Sequence, residues 1–271
     1  MELPEGWKNL TIADIGKVKG GKRLPKGETY SETPTCFPYI RVTDFDNLTV
    51  KQNKLKYLSK DTQYKIKNYT ISSDDVFISI AGTIGQVGVI PQNLNGANLT
   101  ENAAKITGLK TTYNKYLAHA LSSHSSQRQI KNHVIATTQP KLSLFRIEKI
   151  SISHPPLIEQ YQIVQKIEEL FSELDKGIEN LKTAQAQLKV YRQAVLKWAF
   201  EGRLTNENVK DGELPEKWAW AKFDDVCHKI GDIDHKMPKT TTTGYPYVST
   251  KDFSDNVFVK SSLTNSIFGT L

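Results

Sequence analysis

Leu3-Pro4-Glu5-Gly6-Trp7 returns as Leu214-Pro215-Glu216-Lys217-Trp218, 211 residues further on. The echo continues past the pentapeptide. Asp14-Ile15 answers Asp225-Val226 at the same offset, while Phe37-Pro38-Tyr39-Ile40 answers Tyr245-Pro246-Tyr247-Val248 and Asp44-Phe45 answers Asp252-Phe253 at an offset of 208. Solenoid repeats recur roughly every 20 to 50 residues, so a period this long means two copies of a whole domain. The second copy spans only residues 214–271, against a first unit that extends through residue 155. One complete unit and the opening of another is the expected organisation.

Between the copies the texture changes. Pro155-Pro156 ends the first unit, and Leu157 to Phe200 then contains no proline and one glycine, with abundant Glu, Gln, Lys, Ala and Leu. These are strong helix formers. Val164, Ile167, Phe171, Leu174, Ile178, Leu181, Gln185, Leu188, Arg192 and Val195 follow one another at alternating steps of three and four, polar only at 185 and 192. That is a heptad seam. A helix of this length reaches about 66 Å at 1.5 Å per residue. Gly202 stands where a C-terminal cap belongs. So narrow a stripe needs a partner helix, and no second long amphipathic helix is present in the sequence. The alternative is that the helix lies against its own globular domain.

The fold class expected is α+β: a mixed α/β domain over residues 1–155, a long coiled-coil-forming helix within 156–204, a linker over 205–213, and an incomplete second domain over 214–271. In the first domain, Phe37 to Val42, Asp75 to Ile80 and Gln86 to Ile90 have strand composition. Glycines 82, 85 and 88 mark a tight turn. Tyr113 to Ile130 reads as one helix, Gln139-Pro140-Lys141-Leu142 as a loop, and Ile147 to Ile152 as a closing strand. Tyr39 and Phe45 are assigned to the core.

The net charge of +7 is unevenly spread. Residues 1–155 carry 21 Lys and Arg against 12 Asp and Glu, whereas residues 156–213 carry 8 against 10 and residues 214–271 are balanced at 7 each. Within the first unit, residues 17–67 hold 12 basic and 5 acidic side chains. A basic domain on a neutral scaffold suits a polyanion, and equally a merely solvated surface. No apolar run approaches the ~20 residues that would span a bilayer. Glu2 and Glu5 stand where a signal peptide would carry basic and apolar residues. Cys36 and Cys227 lie in different copies, so free thiols in a cytoplasmic setting are expected.

Catalytic motifs are near misses. Gly16-Lys17-Val18-Lys19-Gly20-Gly21-Lys22-Arg23 matches a phosphate-binding loop until its last place, where Arg23 replaces the Ser or Thr that would hold Mg²⁺. A loop that meets DNA phosphates through backbone N–H groups and cations accounts for the same residues. Gly82-Thr83-Ile84-Gly85-Gln86-Val87-Gly88 lacks the strand–turn–helix context of a dinucleotide site. His119, His124 and His133, like Cys227-His228 with Asp232, Asp234 and His235, have no zinc spacing. No catalytic residue and no metal site is assigned.

Several stretches resemble the specificity subunit of type I restriction–modification systems. They are the two Leu-Pro-Glu-x-Trp openings, Ile80-Ala81-Gly82-Thr83-Ile84-Gly85, Gln139-Pro140-Lys141-Leu142-Ser143, Pro155-Pro156-Leu157-Ile158-Glu159-Gln160 and Ala199-Phe200-Glu201-Gly202-Arg203-Leu204. The resemblance implies two target-recognition domains separated by two long antiparallel helices, each domain reading half of a bipartite site in double-stranded DNA. It also implies a non-catalytic chain that binds no cofactor. S-adenosylmethionine would belong to the methyltransferase (modification) subunits, and ATP and Mg²⁺ to the restriction subunit. The departure is the missing second helix. Two copies pairing through Val164, Ile167, Phe171, Leu174, Ile178, Leu181, Leu188 and Val195 would restore the symmetry as a homodimer. A helical scaffold with non-specific DNA affinity is the alternative.

Charge density nominates Lys22, Arg23, Arg41, Lys51, Lys54 and Lys56 for phosphates. Loop position nominates Arg41, Thr43, Thr83, Gln86 and Gln139 for base edges, with Lys141 beside them.

Overall fold

The computed structural model describes residues 3–134, 140–206 and 208–231, together with four two-residue strands beyond residue 231. In chain order the first unit contains β1 (Lys8–Thr11), α1 (Ile12–Ile15), β2 (Lys17–Gly20), β3 (Pro38–Ile40), β4 (Phe45–Asp46), β5 (Thr49–Val50), β6 (Lys56–Tyr57) and α2 (Lys60–Lys65). It continues with β7 (Thr70–Ile71), β8 (Val76–Ser79), β9 (Val87–Gly88), β10 (Ala97–Leu99), β11 (Ala103–Thr107), α3 (Asn114–Ser122), α4 (His124–His133), α5 (Leu144–Glu148) and β12 (Ser151–His154). The long helix α6 (Leu157–Phe200) follows. After it come α7 (Phe223–Val226), β13 (Tyr245–Pro246), β14 (Phe253–Ser254), β15 (Val257–Phe258) and β16 (Ser266–Ile267).

Two four-stranded sheets form the first unit, ordered β6-β3-β10-β7 and β2-β11-β8-β9. The second is antiparallel throughout; in the first, β3 and β10 run parallel. Strand side chains alternate between faces, and β8 uses both. Val76 and Ile78 join a core with Ile12, Ile15, Leu117, Leu121, Ile147 and Ile150, beneath α1, α3 and α5. Phe77 points the other way, among Ile40, Phe45, Ile71 and Leu99 of the first sheet. Its ring stacks on Phe45 at 3.9 Å. Tyr39 and Phe45 are both buried, as assigned.

The sequence expectation fails at two elements. The single helix expected over 113–130 is broken at Ser123, whose backbone is extended and whose hydroxyl caps α4 at Ser126 N–H. Serines compete with the helical backbone and favour caps, and Ser122-Ser123-His124-Ser125-Ser126 supplies four of them in five residues. The closing strand expected over 147–152 is instead the end of α5, a turn, and β12. Ile147 and Ile150 are both fully buried three residues apart, a helical spacing, and Ile150 N–H returns to the Ile147 carbonyl at 3.0 Å. β12 then pairs antiparallel with β1.

Helix α6 has the bounds that its composition suggests. It ends in a Schellman turn: Arg203 N–H reaches Trp198 O at 2.9 Å and Gly202 N–H reaches Ala199 O at 3.1 Å, with Gly202 at φ +73. A Cβ on Gly202 would lie 2.2 Å from Pro215 Cγ.

The chain separates into two compact units, Met1–Gln185 and Ala186–Leu271. Local geometry of the first recurs in the second. Trp7 N–H donates to Pro4 O and Trp218 N–H to Pro215 O, at 3.1 and 3.0 Å. Gly6 and its counterpart Lys217 both have positive φ, +80 and +72. Asp14 accepts from Thr11 N–H and Asp225 from Lys222 N–H. β14 pairs with β15 in the register of β4 with β5, Phe253 opposite Phe258 as Phe45 is opposite Val50. The burial differs: Ile12 and Ile15 are 0% and 1% exposed, whereas their counterparts Phe223 and Val226 are 77% and 67% exposed.

Candidate nucleic-acid interface

The candidate site lies at one shared edge of the two sheets. β8 ends where β11 begins, since Ser79 pairs with Ala103, and β2 ends opposite Ala104. Segments 20–23, 80–86 and 100–102 therefore emerge together. Parallel pairing of β3 with β10 brings in residue 41 as well, because Thr100 N–H donates to Ile40 O at 3.0 Å. Leu142 N–H donates to Ile80 O, and Lys141 bridges to Ala81, which adds segment 140–143. A cleft of about 650 Å³ results, lined by Gly20 to Arg23, Ile80, Glu101 and Lys141 to Leu144.

The glycines of the near-miss phosphate loop serve backbone packing. A Cβ on Gly21 would lie 2.0 Å from Thr100 O. Gly21 N–H donates to Ala103 O and Lys22 N–H to Leu99 O. The expected role of these N–H groups toward phosphate is thereby corrected: the strands consume them. What the loop offers is side chains, Lys22 and Arg23, both exposed.

The two arginines differ sharply. Arg41 folds back onto buried Asp44, with Nε to Oδ2 at 3.0 Å and Nη2 to Oδ1 at 2.6 Å, and Nη2 also reaches Lys54 O at 3.2 Å. Asp44 additionally accepts Arg41 N–H, which turns β3 into a 3₁₀ turn over Val42–Asp44. The base-reading role expected of Arg41 fits poorly, because Nε and Nη2 are engaged and the two terminal nitrogens are not free as a pair. Arg23 is 78% exposed and bonds only through Nε, to Glu101 Oε1 at 2.8 Å. Glu101 Oε2 accepts from Thr100 Oγ1 at 2.8 Å. Burial pushes the Glu101 carboxyl up, yet the bonds from Arg23 and Thr100 outweigh it and hold the group below the usual range.

Thr43 and Thr83 are exposed on their turns. Lys51 pairs with Asp46 at 3.1 Å and Lys56 lies 5.9 Å from the Tyr30 ring centre. Among the described residues, Lys22, Lys54, Lys56 and Lys141 have no carboxylate partner. Gln86 departs from the group. Its backbone is bonded to Ser79, and it lines a separate cleft of about 530 Å³ with Phe45, His119, Gln127 and Phe171. Gln139 lies outside the described residues, as do Asp232, Asp234 and His235. Both cysteines are exposed and unpaired.

The start of α6 is gripped by its own domain. Gln160 is fully buried: Oε1 accepts from Tyr113 N–H at 2.8 Å, and Nε2 donates to Thr111 O and Pro155 O. Glu159 accepts from Trp7 Nε1, and Lys115 pairs with Glu168 at 2.8 Å. Val164 is 2% exposed, so the first seam residue is already committed to this domain and is unavailable to a partner helix. Ile167 is half-buried. Beyond it the seam stands open: Phe171, Leu174, Ile178, Leu181 and Leu188 are all exposed, Leu181 at 73%. Val195 is half-buried.

The type I restriction modification DNA specificity domain matches residues 4–183. The chain belongs to this family. Specificity-domain relatives include the EcoBI specificity subunit of Escherichia coli, 25% identical over 213 residues, covering 75% of this chain and 43% of that one. The EcoKI specificity subunit of E. coli K12 is 26% identical over 259 residues, covering 90% and 53%. The chain thus spans about half the length of the curated relatives it matches. Two solved structures share the fold. One is the HsdS subunit from Thermoanaerobacter tengcongensis, with a TM-score of 0.53, 22% identity, and coverage of 74% of this chain and 46% of that one. The other comes from a study of complex assembly in the type I R-M system, with a TM-score of 0.57, 20% identity, and coverage of 74% and 47%. No described helix is long and apolar enough to cross a membrane.

Sequence reasoning missed Thr100 and Glu101 in the specificity domain. They sit in a short polar segment, Asn98-Leu99-Thr100-Glu101-Asn102, between two strands that pattern alone does not delimit. It also missed that Glu159 and Gln160 are clamps. The signal available was a buried-type spacing, with Gln160 four residues before Val164 on one helical face.

Proposed function

We propose that this chain is the DNA-reading, non-catalytic subunit of a type I restriction–modification complex. In the cytoplasm it directs methyltransferase and restriction subunits to a bipartite site in double-stranded DNA. The observation that carries this reading is the loop edge, where Lys22 and Lys141 line the cleft and lack carboxylate partners among the described residues of a specificity domain. Cations without carboxylate partners are free to displace counterions from phosphates. S-adenosylmethionine, ATP and Mg²⁺ belong, in this reading, to the partner subunits.

The exposed seam supports pairing. Two copies joined antiparallel through Phe171, Leu174, Ile178, Leu181 and Leu188 would carry two identical reading domains and recognise an interrupted palindrome, since dimer symmetry is mirrored in the DNA.

The test has two arms. Lys22→Ala with Lys141→Ala is expected to weaken binding to every duplex and to lower the slope of log affinity against log salt by about 0.9 for each phosphate no longer neutralised. Sedimentation at tens of micromolar is expected to show a dimer that Leu174→Asp with Leu181→Asp dissociates. Affinity untouched by the lysine substitutions would refute the loop edge as the DNA surface, and a monomeric wild type would refute the pairing. Binding with no sequence preference would favour a helical scaffold with incidental basic charge.

A further inference from the structure

We propose that Arg23 reads a guanine in the major groove and that Glu101 is the positioning residue that aims it. This rests on the DNA-reading function above and gives it one specificity-determining side chain. The geometry differs from that of an ordinary surface ion pair in three respects. Arg23 is held at Nε alone, so both terminal amines remain available as a parallel donor pair among the described residues. The holding carboxylate is itself fixed, since Thr100 Oγ1 occupies its other oxygen. Thr100 in turn sits where β10 ends, its N–H on Ile40 O, so the relay starts from the sheet.

A planar guanidinium with two free, aligned amines matches the O6 and N7 acceptors of guanine, the commonest specific contact between arginine and DNA. Fixing the side chain beforehand lowers the ordering cost of that contact. Phosphate is the competing acceptor, and Glu101 argues against it. A carboxylate 2.8 Å from Arg23 Nε lowers the attraction toward an anion while leaving the N–H directions intact. Lys22 and Lys141 in the same cleft carry no such carboxylate and are the better phosphate ligands. Arg41 shows the contrast, its Nη2 being spent on both Asp44 and Lys54, so that its terminal amines are no longer a free pair.

The experiment is selection of preferred duplexes from a random library, using the full chain assembled with the modification subunits, followed by competition binding. The wild type is expected to select a half-site containing a guanine whose replacement by 7-deazaguanine, which lacks N7, weakens binding roughly 10-fold. Arg23→Lys keeps the charge and loses the planar fork. It should lose discrimination at that one base pair by roughly 10- to 100-fold and become indifferent to 7-deazaguanine there. Glu101→Ala should lose part of the same discrimination, and Glu101→Gln, which keeps an acceptor oxygen, should restore most of it. An Arg23→Lys protein with unchanged preference at every position overturns the inference while leaving the DNA-reading function standing. So does a selected half-site without guanine. Arg23→Ala lowering affinity equally for selected and random DNA would make Arg23 a phosphate ligand. A wild type that selects no sequence at all defeats the DNA-reading function itself.

Discussion

Trp7 Nε1 lies 3.1 Å from each carboxylate oxygen of Glu159, joining the pentapeptide that opens the first copy to the first turn of α6. This gives the Leu-Pro-Glu-x-Trp sequence a mechanical meaning. Gly6 faces Pro156 and Trp7 takes Glu159, so the chain's opening segment clasps the entry to the long helix. Trp218, the counterpart, is exposed. Trp7→Phe removes a partly buried hydrogen bond to a charged acceptor and should cost about 1.5 kcal/mol. Trp218→Phe should stay within about 0.5 kcal/mol. Urea unfolding of the two variants measures the difference, and equal effects would show that the clasp contributes nothing.

How far the sequence could be read follows from what each feature depends on. Helix α6 was fully legible, bounds included, because its signals are local: proline before, helix formers throughout, Gly202 after. The repeat was legible because Asp14 and Asp225 cap the same short turn in each copy. The site was legible only in its charges. Whether Arg41 or Arg23 has a free fork depends on Asp44, three residues away, and on Glu101, 78 residues away. Spacing announces the first only if the chain turns at Val42, and nothing local announces the second. Ile147 and Ile150 misled because alternation over six residues fits a strand as well as a helical end followed by a turn.

Arg41 is therefore expected to be a stability residue. Arg41→Ala leaves Asp44, which is 4% exposed, without its bidentate partner. Removing one member of such a buried pair costs about 3–5 kcal/mol. Arg41→Ala with Asp44→Ala should recover much of that loss in chemical denaturation. Loss of sequence discrimination with unchanged stability would instead return Arg41 to base reading.

Acid should weaken the first unit before any carboxylate titrates. His154 is 7% exposed, with Nε2 at 2.9 Å from Thr112 Oγ1 and 3.3 Å from Gln160 Nε2. Burial pushes its pKa below the ordinary value, and nearby Lys8 adds to the shift. Burial also lowers His119, which lies beside Phe171. The unfolded chain then binds more protons than the folded one, so stability rises with pH. It should be complete above the unfolded histidine value of about 6.5 and fall progressively below it. Urea midpoints at about pH 7.5 and 5.5 give the slope. His154→Asn should flatten it, and an unaltered slope would remove His154 from the account.

Gly177 is the one glycine within α6, and a Cβ built there meets nothing within 4 Å. Glycine in an exposed helix interior is worth about 0.5–1 kcal/mol less than alanine. Gly177→Ala should therefore stabilise the helix by about that amount, seen as a higher thermal midpoint with unchanged DNA binding. The position also probes the partner helix. Residue 177 adjoins Ile178 and lies off the seam, so an antiparallel partner packed on Phe171, Leu174, Ile178 and Leu181 should tolerate the added methyl. If Gly177→Ala instead weakens the dimer in sedimentation, a partner backbone must approach that flank closely, and the paired face must be rotated toward residue 177.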